Sequence, residues 1–288
     1  MGNFMEMLRQ KWQEKKFLCI GLDSDFGKIP QTLKDRLWGM PNSTAVVINA
    51  FNREIIRATK DIVCAYKPNI AFYEAEGVSG LQALASTVSY IYRVAPDIPV
   101  ILDAKRADIG NTNNGYVAAA FDLLKVDAIT VSPYLGEEAL KPFLDRADKG
   151  IIVLCRTSNP GAGEFQDLYV TDGITPLYQY VARKVVSKWN KNGNCGLVVG
   201  ATTPEELEQI RRIVGDDMPI LIPGIGAQGG DLEKTVKAGI NSRGAGIIIN
   251  SSRGIIFASS GADFAEKAGE EARKLNDEIN KIISQISG

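Results

Sequence analysis

Eight short apolar segments recur along this chain, and a stretch long enough for a helix separates each segment from the next. Such segments are typical of strands buried on both faces of a parallel sheet, whereas the stretches between them show the apolar spacing of helices. The predicted strands are Phe17–Leu22, Ile62–Tyr66, Val100–Asp103, Ala128–Ser132, Ile151–Arg156, Gly196–Gly200, Ile220–Ile225 and Gly246–Asn250. The predicted helices include Ser43–Lys60, Val78–Val94, Thr112–Lys125, Glu137–Ala147, Thr175–Asn190 and Pro204–Ile213.

This alternation predicts one closed (β/α)8 barrel, a TIM barrel, as a single domain over residues 1–288 with an extra N-terminal helix. The length of 288 residues would also accommodate two domains, but no low-complexity linker divides the chain. An open, doubly wound sheet is the alternative fold. The first strand is followed by Asp23-Ser24-Asp25 rather than by the GxGxxG turn of such sheets, so we favour the barrel.

The charge and the hydropathy of the chain argue against nucleic acids and membranes as partners. The formal net charge is −1, which gives no reason to expect nucleic acid as a ligand. No apolar run is long enough to cross a membrane, and residues 1–16 form an amphipathic, charged stretch rather than the apolar centre of a signal peptide. We therefore expect a cytoplasmic protein.

Cysteine and histidine usage narrows the possible chemistry. The four cysteines lack CxxC spacing and three of them lie in apolar strand-like segments, so we expect buried, reduced thiols. The chain contains no histidine, which excludes Ser-His and Cys-His nucleophile pairs and a histidine acid or base. Lysine, carboxylate, tyrosine and backbone groups remain for catalysis, and no metal set is indicated.

Polar residues gather where the predicted strands end. In a barrel the loops after the strands converge on one rim, so these residues form one candidate site. They are Asp23, Lys67, Asp103, Lys105, Asp108, Ser132, Tyr134, Thr157, Ser158, residues 224–230, Ser252 and Arg253.

The third strand end concentrates charge. Side chains alternate along a strand, so Asp103 and Lys105 lie on one face. Alone, this pair is equally well explained as a solvated ion pair. Lys67, at the end of the preceding strand, and Asp108 would extend it into an array in which each charge has an opposite neighbour. That array favours a functional site.

The last two strand ends indicate an anion site. Glycines follow the seventh strand within residues 223–230, and Arg253 follows the eighth. Glycine lets backbone N–H groups approach an anion, and an arginine can bind it through two hydrogen bonds. Barrels commonly bind phosphate at this position. We therefore predict a phosphate site.

Taken together, these motifs resemble the orotidine 5'-monophosphate decarboxylase family, and within it the longer bacterial type. The resemblance spans most of the chain. It depends on Leu22-Asp23, Tyr66-Lys67-Pro68, the DxKxxD run from Asp103 to Asp108 with Ile109 and Thr112, Thr157-Ser158-Asn159-Pro160-Gly161, Gly226-Ala227-Gln228-Gly229-Gly230, and Arg253.

The resemblance implies a reaction and a set of roles. The reaction is decarboxylation of orotidine 5'-monophosphate to uridine 5'-monophosphate and CO2 in de novo pyrimidine biosynthesis, without metal or cofactor. Lys105 would donate the proton to C6, Asp103 would lie beside the substrate carboxylate, and Lys67 would orient Asp103 and contact the ribose.

The same resemblance implies a homodimer with composite active sites and a set of residues that bind the nucleotide. Asp108 and Thr112 would reach into the neighbouring subunit's site. Asp23 would bind ribose hydroxyls, Ser158 or else Thr157 the pyrimidine edge, and Gln228 with Arg253 the 5'-phosphate. Asp25 and residues 161–165 receive no role.

Three other functions remain open on the residues alone. A related keto-sugar phosphate decarboxylase shares the DxKxxD pattern and needs magnesium, so its turnover would be sensitive to EDTA. A Schiff-base aldolase would use Lys67 or Lys105, and borohydride would trap its intermediate. A barrel that only binds phosphate is disfavoured, because anion binding does not require two carboxylates nearby.

Overall fold

The computed structural model describes residues 3–170, 173–225 and 229–287, and eight parallel strands form its centre. Their order is β2-β1-β8-β7-β6-β5-β4-β3, and backbone bridges Tyr66–Val100 and Asn69–Asp103 join β2 to β3. The strands therefore close into a barrel with helices between them, which confirms the predicted (β/α)8 fold. They are β1 (Leu18–Leu22), β2 (Ala65–Pro68), β3 (Ile101–Arg106), β4 (Ala128–Val131), β5 (Gly150–Arg156), β6 (Cys195–Val199), β7 (Ile220–Ile222) and β8 (Ile247–Ser251).

The helices of the described ranges surround the barrel and largely follow the predicted pattern. Two of them continue directly into π-helical segments, Ala118–Leu123 and Val185–Trp189, and short 3-10 turns cover Phe26–Lys28 and Pro160–Ala162. The α-helices are α1 (Phe4–Gln13), α2 (Gln31–Leu37), α3 (Ser43–Thr59), α4 (Ile70–Glu74), α5 (Gly77–Val94), α6 (Gly110–Val117), α7 (Gly136–Leu144), α8 (Gly163–Gln166), α9 (Leu177–Lys184), α10 (Pro204–Val214), α11 (Leu232–Gly239), α12 (Arg253–Ile256) and α13 (Phe264–Ser287). None of the helices in these ranges combines the length and the apolar character needed to cross a bilayer.

The second strand begins three residues later than predicted. Its pairing with β1 runs from Cys19–Ala65 to Leu22–Pro68, so Lys67 lies inside β2 and not after it. Ile62 and Val63 are buried but lie outside the strand. An apolar run therefore indicated burial here, while the partner strand determined where β2 begins.

Helix α1, the predicted extra helix, closes the amino-terminal end of the barrel. Its N-cap is Asn3, whose side-chain oxygen accepts a hydrogen bond from the N–H of Met5 at 2.9 Å. Phe4, Met5 and Leu8 pack among inward-facing strand residues. Close packing requires glycine at position 150, because a Cβ there would lie 2.3 Å from the Phe4 ring. With this end filled, the carboxyl ends of the strands form the open mouth.

All four cysteines are buried and free, as predicted. Cys19 and Cys64 lie in the barrel interior with the α1 side chains. Burial raises the pKa of the Cys19 and Cys155 thiols to about 12, and that of Cys195 likewise. These thiols are therefore inert packing groups at neutral pH.

Candidate active site

A cavity of about 500 Å³ opens at the carboxyl ends of the strands, where the sequence predicts the site. Every strand, or the loop that follows it, contributes to its wall. The lining residues are Asp23, Lys67, Asn69, Asp103, Lys105, Thr130, Leu154, Thr157, Ser158, Asn159, Gln166, Val198, Leu221, Pro223, Gly224, Ile225, Asn250, Ser252, Arg253 and Gly254. The volume is in the range of small-molecule sites.

Two ammonium groups hold one carboxylate at the centre of the β2–β3 wall. Lys67 Nζ lies 2.7 Å from Asp103 Oδ2, and Lys105 Nζ lies 2.6 Å from Asp103 Oδ1. The Lys67 side chain is 4% exposed and that of Asp103 11%, whereas half of the Lys105 side chain is exposed. Both lysines line the cavity, and Lys105 is the more exposed of the two ammonium groups.

The charges of this group reinforce one another. Burial alone raises the pKa of Asp103, but the ammonium groups of Lys67 and Lys105 outweigh burial and hold the pKa well below its usual range. Burial alone lowers the pKa of Lys67, but the carboxylates of Asp103 and Asp23 outweigh it and raise the pKa. Both groups consequently remain charged across neutral pH.

Strand β3 is irregular where it carries these charges. Its register against β4 shifts between Leu102, which pairs with Ile129, and Arg106, which pairs with Val131. Lys105 has a positive φ of 48°, a left-handed conformation that is uncommon outside glycine. The predicted neighbourhood of Asp103 and Lys105 is thus present, but regular strand alternation does not produce it.

The β1 and β8 side of the cavity presents buried acceptors. Asp23 Oδ1 and Asn250 Oδ1 are buried, and neither has a hydrogen-bond partner among the described residues. A donor group on a ligand would satisfy such atoms. Asp25, left without a role by the sequence, caps the following turn, where its Oδ1 accepts from the N–H of Gly27 at 3.0 Å.

A buried hydrogen-bond network fixes the end of β1 beneath Asp23. The Tyr73 hydroxyl donates to the carbonyl of Leu22 at 3.1 Å, and Asn52 Nδ2 donates to the Tyr73 oxygen at 3.0 Å. Ser24 Oγ donates to Asn52 Oδ1 at 2.6 Å. These bonds connect β1, α3 and α4, so the backbone that carries Asp23 is held rigidly.

The loop after β5 is held by Gln166 of α8. Its Oε1 accepts from the N–H of Thr157 at 2.8 Å, and its Nε2 donates to Thr157 Oγ1 at 2.8 Å. Thr157 Oγ1 in turn donates to Asn159 Oδ1 at 2.7 Å. Gly200 at the end of β6 lets the loop approach, because a Cβ there would lie 2.7 to 2.9 Å from atoms of Ser158.

Some of the residues predicted to bind phosphate line this cavity. Gly224 and Arg253 line the cavity beyond β7 and β8, and Gly224 has a φ of 107° that favours glycine. Arg253 is exposed, so its guanidinium can reach a ligand. Gln228, the other predicted phosphate ligand, lies outside the described residues.

Asp108 and Thr112 do not line the cavity of their own chain. Asp108 Oδ1 accepts from the N–H of Ile109 at 2.7 Å, and Asn113 Nδ2 donates to the Asp108 carbonyl. Thr112 is exposed on α6. Within one chain, the predicted array of alternating charges therefore ends at Lys105 and does not reach Asp108.

The prediction that Ser132 and Tyr134 lie in this cavity is wrong. Ser132 and Tyr134 follow β4, but they line a neighbouring, more apolar pocket between α7 and α9. The polar residue that β4 contributes to the cavity is Thr130, inside the strand.

Sequence reasoning missed four polar lining residues. Asn69 directly follows the stretch singled out for Lys67, and Asn250 is the last residue of the predicted eighth strand, so both lie at strand ends that the sequence already marks. Thr130 carries a weak signal, as a polar residue at an inward position of an apolar strand. Gln166 could be found only from the fold, because α8 returns it to the β5 loop.

Known proteins are similar to this chain in fold and in sequence. The profile of the family described as orotidine 5'-phosphate decarboxylase / HUMPS matches residues 16–268. Orotidine 5'-phosphate decarboxylase of Janthinobacterium sp. (strain Marseille) is 51% identical over 253 residues, which are 88% of this chain and 89% of that protein. The structure of Leishmania donovani OMP decarboxylase is 37% identical with a TM-score of 0.80, covering 98% of each chain. Leishmania donovani UMP synthase is 38% identical with a TM-score of 0.84, and the match covers 98% of this chain but only 56% of that one.

Proposed function

The chain belongs to the orotidine 5'-phosphate decarboxylase / HUMPS family, and we propose that it decarboxylates orotidine 5'-monophosphate with its own side chains alone. The reaction gives uridine 5'-monophosphate and CO2 in pyrimidine biosynthesis. Lys105 is the proton donor to C6 in this proposal. The observation that carries it is the Lys67–Asp103–Lys105 group in the cavity wall, with both lysines within 2.7 Å of the carboxylate.

The charges of the cavity are arranged to suit a nucleotide with anionic groups at both ends. Gly224 and Arg253 lie on the β7–β8 side, where the 5'-phosphate would bind, and we propose Gln228 as a further ligand. The substrate carboxylate would then lie near Asp103 and Lys105 on the β2–β3 side. Leu154, Val198 and Leu221 make the part of the wall between these two sides apolar.

Lys105 has the properties that the chemistry needs. Loss of CO2 from C6 leaves a carbanion outside the ring π-system, so the transition state requires a nearby positive charge and then a proton. The Lys105 ammonium provides both, and its half-exposed side chain can move from Asp103 to the substrate. The charge of Lys67 keeps Asp103 ionised while this happens.

Repulsion by Asp103 contributes, but it is the smaller term. Two like charges about 4 Å apart at an effective dielectric constant of 20 repel by roughly 4 kcal/mol. Since about 1.4 kcal/mol corresponds to a tenfold change in rate, repulsion supplies at most about a thousandfold. Stabilisation of the transition state by Lys105 in a closed site must supply the rest.

The hydrogen bonds that the Asp103 oxygens already accept support a reaction without metal. Oδ2 accepts from Lys67, while Oδ1 accepts from Lys105 and from the Thr130 hydroxyl at 3.0 Å. A divalent cation would have to displace these donors, and the two ammonium groups already provide the positive charge. We therefore propose catalysis without metal or cofactor.

We assign the pyrimidine contact to Ser158 and not to Thr157. The Thr157 hydroxyl accepts from Gln166 and donates its only proton to Asn159, so these two side chains fix its orientation. Ser158 lines the same wall. Asp23, with its buried Oδ1, is assigned to the ribose hydroxyls.

A homodimer with composite sites is supported by the surface after β3 and β4. Ile109, between Asp108 and Thr112, is 60% exposed, and Leu123, Tyr134 and Leu135 are also exposed. Large apolar side chains on adjacent elements are typical of a protein interface. A second copy bound there would bring Asp108 and Thr112 to the partner's cavity.

The free, buried cysteines fit a reducing compartment, and we propose that the enzyme works in the cytoplasm.

Loss of orotidine 5'-monophosphate absorbance in the presence of EDTA tests the proposal. We expect turnover to be unaffected by the chelator, and Lys105→Ala to lower kcat by at least about a thousandfold, because general acid catalysis and charge stabilisation are both removed. Lys267→Ala is the matched control, since Lys267 pairs with Glu270 on α13, outside the site. Turnover that EDTA abolishes and magnesium restores would contradict the metal-free proposal, and a fully active Lys105→Ala would contradict the proton donor.

A further inference from the structure

We propose that Thr130 is a positioning residue for this reaction, which rests on the proposed function: its hydroxyl holds Asp103 and the backbone of Lys105 in their reactive arrangement. Thr130 lies in the middle of β4 and is 1% exposed. Neighbouring β4 residues alternate with it, since Ala128 packs inside the barrel and Ile129 packs outside it. The Thr130 side chain therefore points inward, level with Asp103.

Three hydrogen bonds converge on this one oxygen. Thr130 Oγ1 donates to Asp103 Oδ1 at 3.0 Å. It accepts from the N–H of Ala104 at 3.0 Å and from the N–H of Lys105 at 2.9 Å. A hydroxyl has one donor and two acceptor positions, so Thr130 uses all of them.

These bonds replace the sheet ladder at the point where β3 is irregular. Between the pairs Leu102–Ile129 and Arg106–Val131, three residues of β3 face the single residue Thr130. The N–H groups of Ala104 and Lys105 therefore cannot both find carbonyls on β4, and in this partly buried wall they need another acceptor. The Thr130 hydroxyl supplies that partner for both, which allows the left-handed conformation of Lys105 with its φ of 48°.

Thr130 affects catalysis by fixing the positions of Asp103 and Lys105. The conformation of Lys105 determines where its side chain leaves the strand, and the bond to Oδ1 fixes the orientation of the Asp103 carboxylate between Lys67 and Lys105. A displacement of about 1 Å in such a group can lower the rate about a hundredfold. Thr130 need not touch the substrate to have this effect.

Thr130→Ser and Thr130→Ala separate the hydroxyl from the rest of the side chain, because the two variants differ only in that group. We expect Thr130→Ala to lower kcat about a hundredfold, while the dissociation constant of uridine 5'-monophosphate, which lacks the carboxylate, changes less than about threefold. Thr130→Ser should keep kcat within about threefold of wild type. If alanine prevents folding, Thr130→Val refills the space without the hydroxyl and should show the same loss.

Thr59→Ala is the matched control for a lost buried hydroxyl. Thr59 Oγ1 donates to the carbonyl of Ile55 at 2.7 Å and lies 2.8 Å from the Tyr66 hydroxyl, on the outer side of the barrel wall. Its kcat per folded molecule should equal that of wild type. Equal losses of kcat in the serine and alanine variants, or an equal loss of nucleotide affinity, would overturn the assignment. Wild-type protein that does not consume orotidine 5'-monophosphate would instead overturn the proposed function.

Discussion

Replacing Lys67 by methionine removes one charge from a buried pair and keeps the length of the side chain. The side chains of Lys67 and Asp103 are 4% and 11% exposed, with 2.7 Å between Nζ and Oδ2. In Lys67→Met, the Asp103 carboxylate stays buried, with Lys105 as its remaining cation. Removing one partner of a buried ion pair destabilises a protein by more than the net stability that the pair contributes, because the remaining charge stays desolvated.

The magnitude follows from the geometry. At 2.7 Å and an effective dielectric constant of 20, the attraction between Lys67 and Asp103 is about 6 kcal/mol. Burying the ammonium costs several kcal/mol, so the pair contributes little net stability. Lys67→Met should therefore lower the free energy of unfolding by about 3 kcal/mol, whereas Lys67→Met combined with Asp103→Leu should recover most of that loss.

The shifted pKa values of Asp103 and Lys67 predict how the stability lost in Lys67→Met changes with pH. In the wild type the pKa of Asp103 is lowered, so its contribution is complete above its unfolded pKa of about 3.9 and is lost as the pH falls through the folded pKa. The raised pKa of Lys67 makes its contribution complete below about pH 10 and lost as the pH rises through the folded pKa. In Lys67→Met, burial acts on Asp103 against only one ammonium, so its pKa is higher than in the wild type. The difference in free energy of unfolding between wild type and Lys67→Met should therefore become smaller as the pH is lowered through the pKa of Asp103 in the variant.

Urea unfolding followed by circular dichroism, at fixed protein concentration between pH 4 and 8, measures these differences. Lys237→Met is the control, because Lys237 and Glu233 form an exposed pair on α11 whose loss should be within error. A Lys67→Met protein within about 1 kcal/mol of wild type, or a double variant less stable than the single one, would refute the reasoning.

Two further predictions concern the interface and the fold. Mixing inactive Asp103→Ala and Asp108→Ala proteins should restore about a quarter of wild-type activity after subunit exchange, because half of the dimers are mixed and each has one intact site; verified exchange without recovery would exclude a composite site. Arg211→Lys should lower the free energy of unfolding by about 3 kcal/mol without changing kcat per folded molecule, since the buried guanidinium donates to four backbone carbonyls that one amine cannot all reach. Urea unfolding beside Arg212→Lys, an exposed neighbour paired with Glu208, checks this, and equal stability of the two variants would contradict it.

The fold could be predicted because its information is local and repeated. Each buried strand is marked by its own apolar run, and the rim position of Asp23, Lys67 and Arg253 follows from the barrel once eight such runs are recognised. The start of β2 could not be predicted in this way. Residues 62–64 are as apolar as a strand, and only the pairing of β1 with Ala65 and its successors shows where the strand begins.

The charged centre shows a different limit of sequence reasoning. Alternation along a regular strand placed Asp103 and Lys105 together, and their side chains do meet at 2.6 Å. The strand that carries them is not regular, however, and its shape depends on Thr130, which lies 25 residues beyond Lys105. A barrel with the same DxKxxD run and an apolar residue at that position would leave two backbone N–H groups to be satisfied elsewhere. It would therefore hold its lysine in another conformation. The run identifies the charged groups, but the neighbouring strand determines where they lie.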